Sequence, residues 1–162
     1  TLSPHDFGVA ASITLMLQTV ETLSDLGHDR LIVQAEDGDS ARFLATTHTI
    51  SLLRGILLAL VLFALAPLAA RFFAVSEAES AFAMIALVPL IKGAMHLDSR
   101  RAQRRLDNRP QMLIEAVPQA IALVLTLPAV RYFSGFEAVV ALAIIQAVTA
   151  TLLARYLASS PY

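Results

Sequence analysis

Gly55–Ala70 reads GILLALVLFALAPLAA, a run with no charged residue, bracketed by Arg54 and Arg71. A stretch that apolar has no face to offer water. Charges held at its two ends are the pattern of a helix that crosses a hydrocarbon layer with its polar ends in the headgroups. Four further apolar stretches flank it, separated by short polar connections, and the arginines collect in every second connection.

The composition agrees. Of the 162 residues, 57% are hydrophobic and 15% charged, against roughly 25% charged in an average soluble domain; the mean hydropathy is +0.67. The expected fold class is all-α, a polytopic membrane helical bundle. A water-soluble all-α bundle is the alternative, but five apolar segments leave it too few polar faces to cover its surface. Most of the charge-free runs are short, about 12 to 17 residues where ~18 are usual for a span, so the case rests on the five together. The formal net charge is -1 and the basic residues are sorted by loop rather than pooled, which argues against a nucleic-acid partner. There is no cysteine, hence no disulfide framework, thiol nucleophile or Cys-based metal site.

Helix starts are legible. Ser3 as N-cap, Pro4 at the first helical position and Asp6 three residues after the cap open a helix predicted over about Phe7–Leu23. Starts of the same form occur at Ser76–Glu79 and Ser134–Glu137. The remaining helices are predicted over about 43–67, 80–97, 112–130 and 138–157, with polar connections over about 24–42 and 98–111. The first connection contains an apolar island, Leu31–Val33, read as an interfacial turn of helix or a hairpin. All of it is read as one membrane domain, residues 1–162. Thr1 at the start and LASSPY at the end read as cuts in a longer chain.

Lys and Arg set the orientation. If the connection holding Arg100, Arg101, Arg104, Arg105 and Arg109 is cytoplasmic, alternation places 24–42 and Arg155 on the same side, which then carries eight arginines. The opposite side keeps Arg71 and Arg131 with Asp6, Glu77, Glu79 and Glu137.

Two cations remain within predicted spans, Arg54 and Lys92. A charge near the bilayer centre costs at least ~2.5 kcal/mol, so each should face the bundle interior or water; the structural alternative is a side chain that snorkels to a helix end or pairs with an acid. Polar residues also recur at helical spacing: Thr14, Gln18, Glu21 and Asp25 on the first helix, Thr47, Ser51 and Arg54 on the second, Pro89, Lys92 and His96 on the third, Glu115, Gln119 and Thr126 on the fourth, Gln146 and Thr149 on the fifth. Each stripe alone is satisfied by interhelical hydrogen bonding. Their convergence predicts a hydrated cavity with fixed cations, suited to an anionic solute such as a diphosphate or acidic sugar, with Arg54 as the better phosphate clamp. The candidate binding residues are Arg54, Lys92, Gln18, Ser51 and Gln119; the candidate coupling or ion-pair acids are Glu21, Asp25 and Glu115, with Asp98 beyond them. Pro67, Pro89, Pro118 and Pro128 are candidate bending points.

Other chemistries find no residues. His5, His28, His48 and His96 lack metal-ligand spacing; Asp37-Gly38-Asp39 is a turn without the other ligands of a calcium loop; and no nucleophile elbow, phosphate loop or zinc-protease motif is present. No cofactor, no metal and no catalysis are expected.

LSPHDFG (2–8), SDLGHDRLIVQ (24–34), RGILLALVLFALAPLAARFF (54–73), RRAQRRLDNRPQMLIEAVPQAIA (100–122) and ARYLASSPY (154–162) together resemble the lipid-linked oligosaccharide flippases and polysaccharide exporters of the multidrug/oligosaccharidyl-lipid/polysaccharide superfamily. The resemblance covers essentially the whole chain. It implies helices two to six of a protein of about twelve to fourteen, most of the N-terminal lobe of a two-lobed, V-shaped transporter in the bacterial cytoplasmic membrane. It further implies export of an undecaprenyl-diphosphate-linked glycan by alternating access, the bilayer and that lipid-linked glycan as partners, and a polysaccharide polymerase and chain-length proteins beside it. Cavity cations in such transporters bind the diphosphate or acidic sugars, a role carried here to Arg54 and, less directly, to Lys92. Two other readings remain: a non-transporting scaffold subunit of an envelope assembly, and a drug or cation antiporter of the same superfamily, which should centre on acids rather than cations.

Overall fold

With no water to accept backbone hydrogen bonds inside a bilayer, a chain this apolar must satisfy its peptide groups locally, and helices do so. The computed structural model describes residues 4–24, 40–133 and 135–158, and among them every regular element is helical. In chain order these are α1 (Pro4–Leu23), α2 (Ala41–Phe72), a 3₁₀ turn (Ser76–Ala78), α3 (Glu79–Met84), α4 (Leu87–Gly93), α5 (Asp98–Arg104), α6 (Arg109–Tyr132) and α7 (Glu137–Tyr156). Ser3, Asp25, His28, the Leu31–Val33 island, the Asp37-Gly38-Asp39 turn and Ser134 lie outside the described residues.

Helix α2 starts on a side-chain cap, the Ser40 hydroxyl accepting from the Phe43 N–H at 3.2 Å. It does not stop at Pro67, as the sequence reading had it, but continues to Phe72. One missing N–H in an apolar segment is a smaller loss than several carbonyls left without partners. Its 32 residues reach about 48 Å at 1.5 Å per residue, more than a hydrocarbon core requires. The end is a Schellman-type closure: Val75 N–H donates to Ala70 O at 2.8 Å and Ala74 N–H to Arg71 O at 3.1 Å, with Ala74 at φ 56° where glycine is usual.

The segment predicted as a single helix over 80–97 is broken instead. Pro89 has no N–H for the Ile85 carbonyl, which accepts from Val88 at 3.0 Å in a tighter, three-residue turn, and α3 and α4 are thereby separate pieces. Helix α4 ends at Gly93, and α5 departs at 54° from the line of 76–93. The connection expected over 98–111 therefore begins as a helix rather than a loop.

Among the described residues, three helices are long and apolar enough to cross a membrane, over 42–72, 109–132 and 137–156, or four if the bent pair 76–93 plus 98–104 is one span. Helix α1 has the length, at 20 residues, but with His5, Asp6, Gln18 and Glu21 it is not among them. Only 22% of each long span is buried within the protein. Leu53, Leu57, Leu60 and Phe63 of α2 and Val124 and Leu127 of α6 stand exposed, which is the outward face expected of a chain dissolved in lipid.

The described interior has one large cluster and a small second one, in which Leu44 and Phe43 of α2 meet Leu97; in the large one the helices converge. Val9, Ile13 and Leu17 of α1 meet Leu62, Ala66 and Ala70 of α2, Phe82 and Val88 of the broken segment, and Val140 and Ala147 of α7. Phe73 stacks on Phe82 at 6.1 Å. Helix α2 packs on α3 and α4, α4 on α7, and α7 on α6, so the broken segment is the hub that sets the distance between the two halves of the bundle.

Candidate functional site

The hub depends on two glycines. A Cβ on Gly55 would lie 2.6 Å from Pro89 O and 2.9 Å from Gly93 Cα, and one on Gly93 would lie 2.9 Å from Ser51 O. Only hydrogen side chains let the α2 and α4 backbones approach this closely, the small-residue contact common between membrane helices. The residue before Gly55 is Arg54 and the residue before Gly93 is Lys92. The crossing therefore brings Arg54 and Lys92, the two cations expected within spans, to one place.

That place is a cavity of about 360 Å³ whose walls include Glu21, Ser51, Arg54, Pro89 and Lys92. Lys92 Nζ donates to Glu21 Oε1 at 3.1 Å and to Oε2 at 3.3 Å. Arg54 donates through Nη2 to the Glu21 carbonyl oxygen and to Ser24 Oγ, both at 3.1 Å. The Glu21 carbonyl is among the last of α1, where free carbonyls and the helix dipole favour a cation, so Arg54 also ties the end of α1 to α2. Two groups on the wall are left over: Arg54 Nε and Ser51 Oγ are buried and without partners. With Arg54 and Lys92 against Glu21, the formal charge of these groups is positive by one.

A second, larger cavity of about 920 Å³ lies between α1, α4, α6 and α7. Its polar wall is formed by Thr14 and Gln18 of α1, Glu115, Gln119 and Thr126 of α6, and Gln146 of α7, with Glu21 and Lys92 again present. Glu21 and Lys92 are the residues common to both cavities, and their ion pair stands between them. Thr14 and Thr126 direct their hydroxyls to the carbonyls of Ala10 and Ala122 at 2.8 Å, and Glu115 accepts from Gln111 Nε2.

The structure therefore brings Arg54, Lys92, Ser51 and Glu21 to one cavity and Gln18, Gln119, Glu115, Glu21 and Lys92 to the other; Asp25 lies outside the described residues. His96 departs from its expected row with Pro89 and Lys92, because α4 has ended by then; its Nδ1 accepts from the Asp98 N–H at 3.3 Å. Thr47 and Thr149 line neither cavity. Thr151 had drawn no attention in the sequence, yet its hydroxyl donates to Ile91 O at 3.2 Å and fastens α7 to α4. The Gly55–Gly93 crossing was likewise missed, although two lone glycines in apolar segments were its signal. Among the described residues, no group of three His, Asp or Glu side chains is placed to hold a metal ion.

An all-helical bundle with apolar outer faces and helices of span length is the architecture of a membrane protein. The chain belongs to the polysaccharide biosynthesis protein family, whose model matches residues 1–160. No match was found among curated proteins or solved structures.

Proposed function

We propose that this chain forms the N-terminal part of an exporter that moves a lipid-linked oligosaccharide or polysaccharide intermediate across the bacterial cytoplasmic membrane by alternating access, without catalysing a reaction. The observation that carries the reading is the pair of adjoining cavities, lined by the polar stripes of α1, α2, α4, α6 and α7 and sharing the Glu21–Lys92 pair, inside a bundle whose outer faces are apolar. A polar glycan cannot cross hydrocarbon unaided, and a hydrated passage with fixed cations offers its diphosphate or acidic groups partners that lipid lacks. Arg54 and Lys92, both on the wall of the smaller cavity, are the cations that would meet such a group. In this reading the polymerase and chain-length proteins act on the glycan at the outer face, and Glu21 and Glu115 are the acids available for coupling to an ion gradient.

The test is Arg54→Ala and Arg54→Lys in the full-length protein, with surface polysaccharide measured at matched protein level. The expected result is a severe loss of polymer in Arg54→Ala, partly restored in Arg54→Lys, at unchanged membrane abundance. Because Arg54 also holds the end of α1, a loss of polymer that tracks a loss of protein would reduce its role to packing. Normal polymer with Arg54→Ala and Lys92→Ala combined would favour the scaffold reading.

A further inference from the structure

The turn between α5 and α6 places an apolar side chain where two physical costs coincide. Leu106 N–H donates to Gln103 O at 3.0 Å and Asp107 N–H to Ala102 O at 3.0 Å, which is the paired closure of a Schellman motif with Leu106 at the left-handed position. Its φ is 60°. Glycine occupies that position at no steric cost; a leucine is strained there. The leucine is also 89% exposed, so it gains nothing from the protein interior in return. A strained residue with an unburied apolar side chain, set among further exposed apolar neighbours, points to a contact beyond the described residues.

The neighbours say what that contact is. Arg105 and Arg109 flank Leu106 and are exposed, and Met112 and Leu113, at 65% and 45%, extend the apolar surface into the first turn of α6. Asp107, the acid between the arginines, is tied to the chain, its Oδ1 accepting from the Arg109 N–H at 3.1 Å. Helix α6 is 24 residues long, about 36 Å at 1.5 Å per residue, against a hydrocarbon core of ~30 Å. Its first turn, and the Leu106 turn just before it, therefore fall at headgroup depth.

We infer that the Arg105–Arg109 turn is an anionic-phospholipid site, in which Leu106, Met112 and Leu113 enter the acyl boundary while the Arg105 and Arg109 guanidiniums take the headgroup phosphates. Apolar side chains beside paired cations at the level of an interface match both halves of such a lipid. Holding Leu106 in the left-handed position aims it away from the protein, toward the bilayer. The site depends on the chain spanning a membrane and is independent of what the central cavities carry.

The experiment uses the full-length protein in vesicles of phosphatidylcholine with and without phosphatidylglycerol, with retained lipid identified after mild detergent extraction and stability followed by thermal unfolding. The protein should retain phosphatidylglycerol over phosphatidylcholine. Arg105→Gln and Arg109→Gln should each weaken that preference roughly fivefold, and together about 25-fold, at about 1 kcal/mol per surface cation. Arg71→Gln, at the far end of α2, should leave it intact. Leu106→Gly should weaken retention while melting no lower than the parent in phosphatidylcholine, since glycine relieves the backbone. Preference unchanged in the double arginine variant would overturn the assignment and point to a protein partner for the patch. So would a lowered melting temperature for Leu106→Gly with preference intact.

Discussion

Gly55→Ala adds one methyl group at the crossing on which the site is built. The new Cβ would stand 2.6 Å from Pro89 O, where ordinary contact begins near 3.4 Å, so the backbones must separate by about 0.8 Å, and neither obstacle is a side chain that can rotate away. Overpacking of this kind costs about 1–3 kcal/mol, while replacing glycine inside a helix returns about 0.8–1.0 kcal/mol of propensity. The second contribution can be isolated, because Gly8 of α1 has nothing within 4 Å of its would-be Cβ. Gly8→Ala should therefore stabilise the protein by about 1 kcal/mol. The gap between the two alanine variants then reports the steric cost alone, about 1–3 kcal/mol. Far-UV circular dichroism melts of both variants in one detergent measure that gap. Gly55→Ala should also weaken whatever binds between Arg54 and Lys92, since α2 and α4 carry those residues beside the two glycines. If Gly55→Ala melts as high as Gly8→Ala, the backbone contact does not set the helix spacing and the account of the site's assembly fails.

The Glu21–Lys92 pair is half open to its surroundings, with side chains 28% and 47% accessible, so a cycle of Glu21→Gln, Lys92→Gln and the double variant should give a coupling of only about 0.5–1 kcal/mol; a coupling several times larger would mean the pair is a structural bolt rather than a divider that can part. Ala74→Gly removes the left-handed strain that closes α2, for a net gain of about 0.5–1 kcal/mol after the added freedom of the unfolded chain is subtracted. A lower melting temperature for that variant would contradict the Schellman closure.

Much of the site was legible because helical spacing alone decides which residues share a face. Gln18 and Glu21 lie along one side of α1, and Glu115, Gln119 and Thr126 along one side of α6, wherever those helices pack; the structure sets both stripes on the same cavity. The reading failed where one residue altered the local hydrogen bonding. Pro89 deprives Ile85 of its partner and divides the third segment, and the early end at Gly93 removes His96 from the row it was expected to continue. At Pro67 the opposite occurred, since the apolar surroundings keep the helix going. The double role of Arg54 was not legible either, because the carbonyl of Glu21 becomes its partner only when α1 and α2 are adjacent.

By itself the sequence determined the all-helical class and its apolar character: a run such as Gly55–Ala70 offers water no polar face, and in lipid its peptide groups must bond along a helix. It also determined which side chains could not face lipid. Only the tertiary structure decided where those side chains meet. Whether two cations on separate helices form one site depends on how closely the backbones approach, and that distance is set at Gly55 and Gly93, residues 38 positions apart, by an atom that neither of them has.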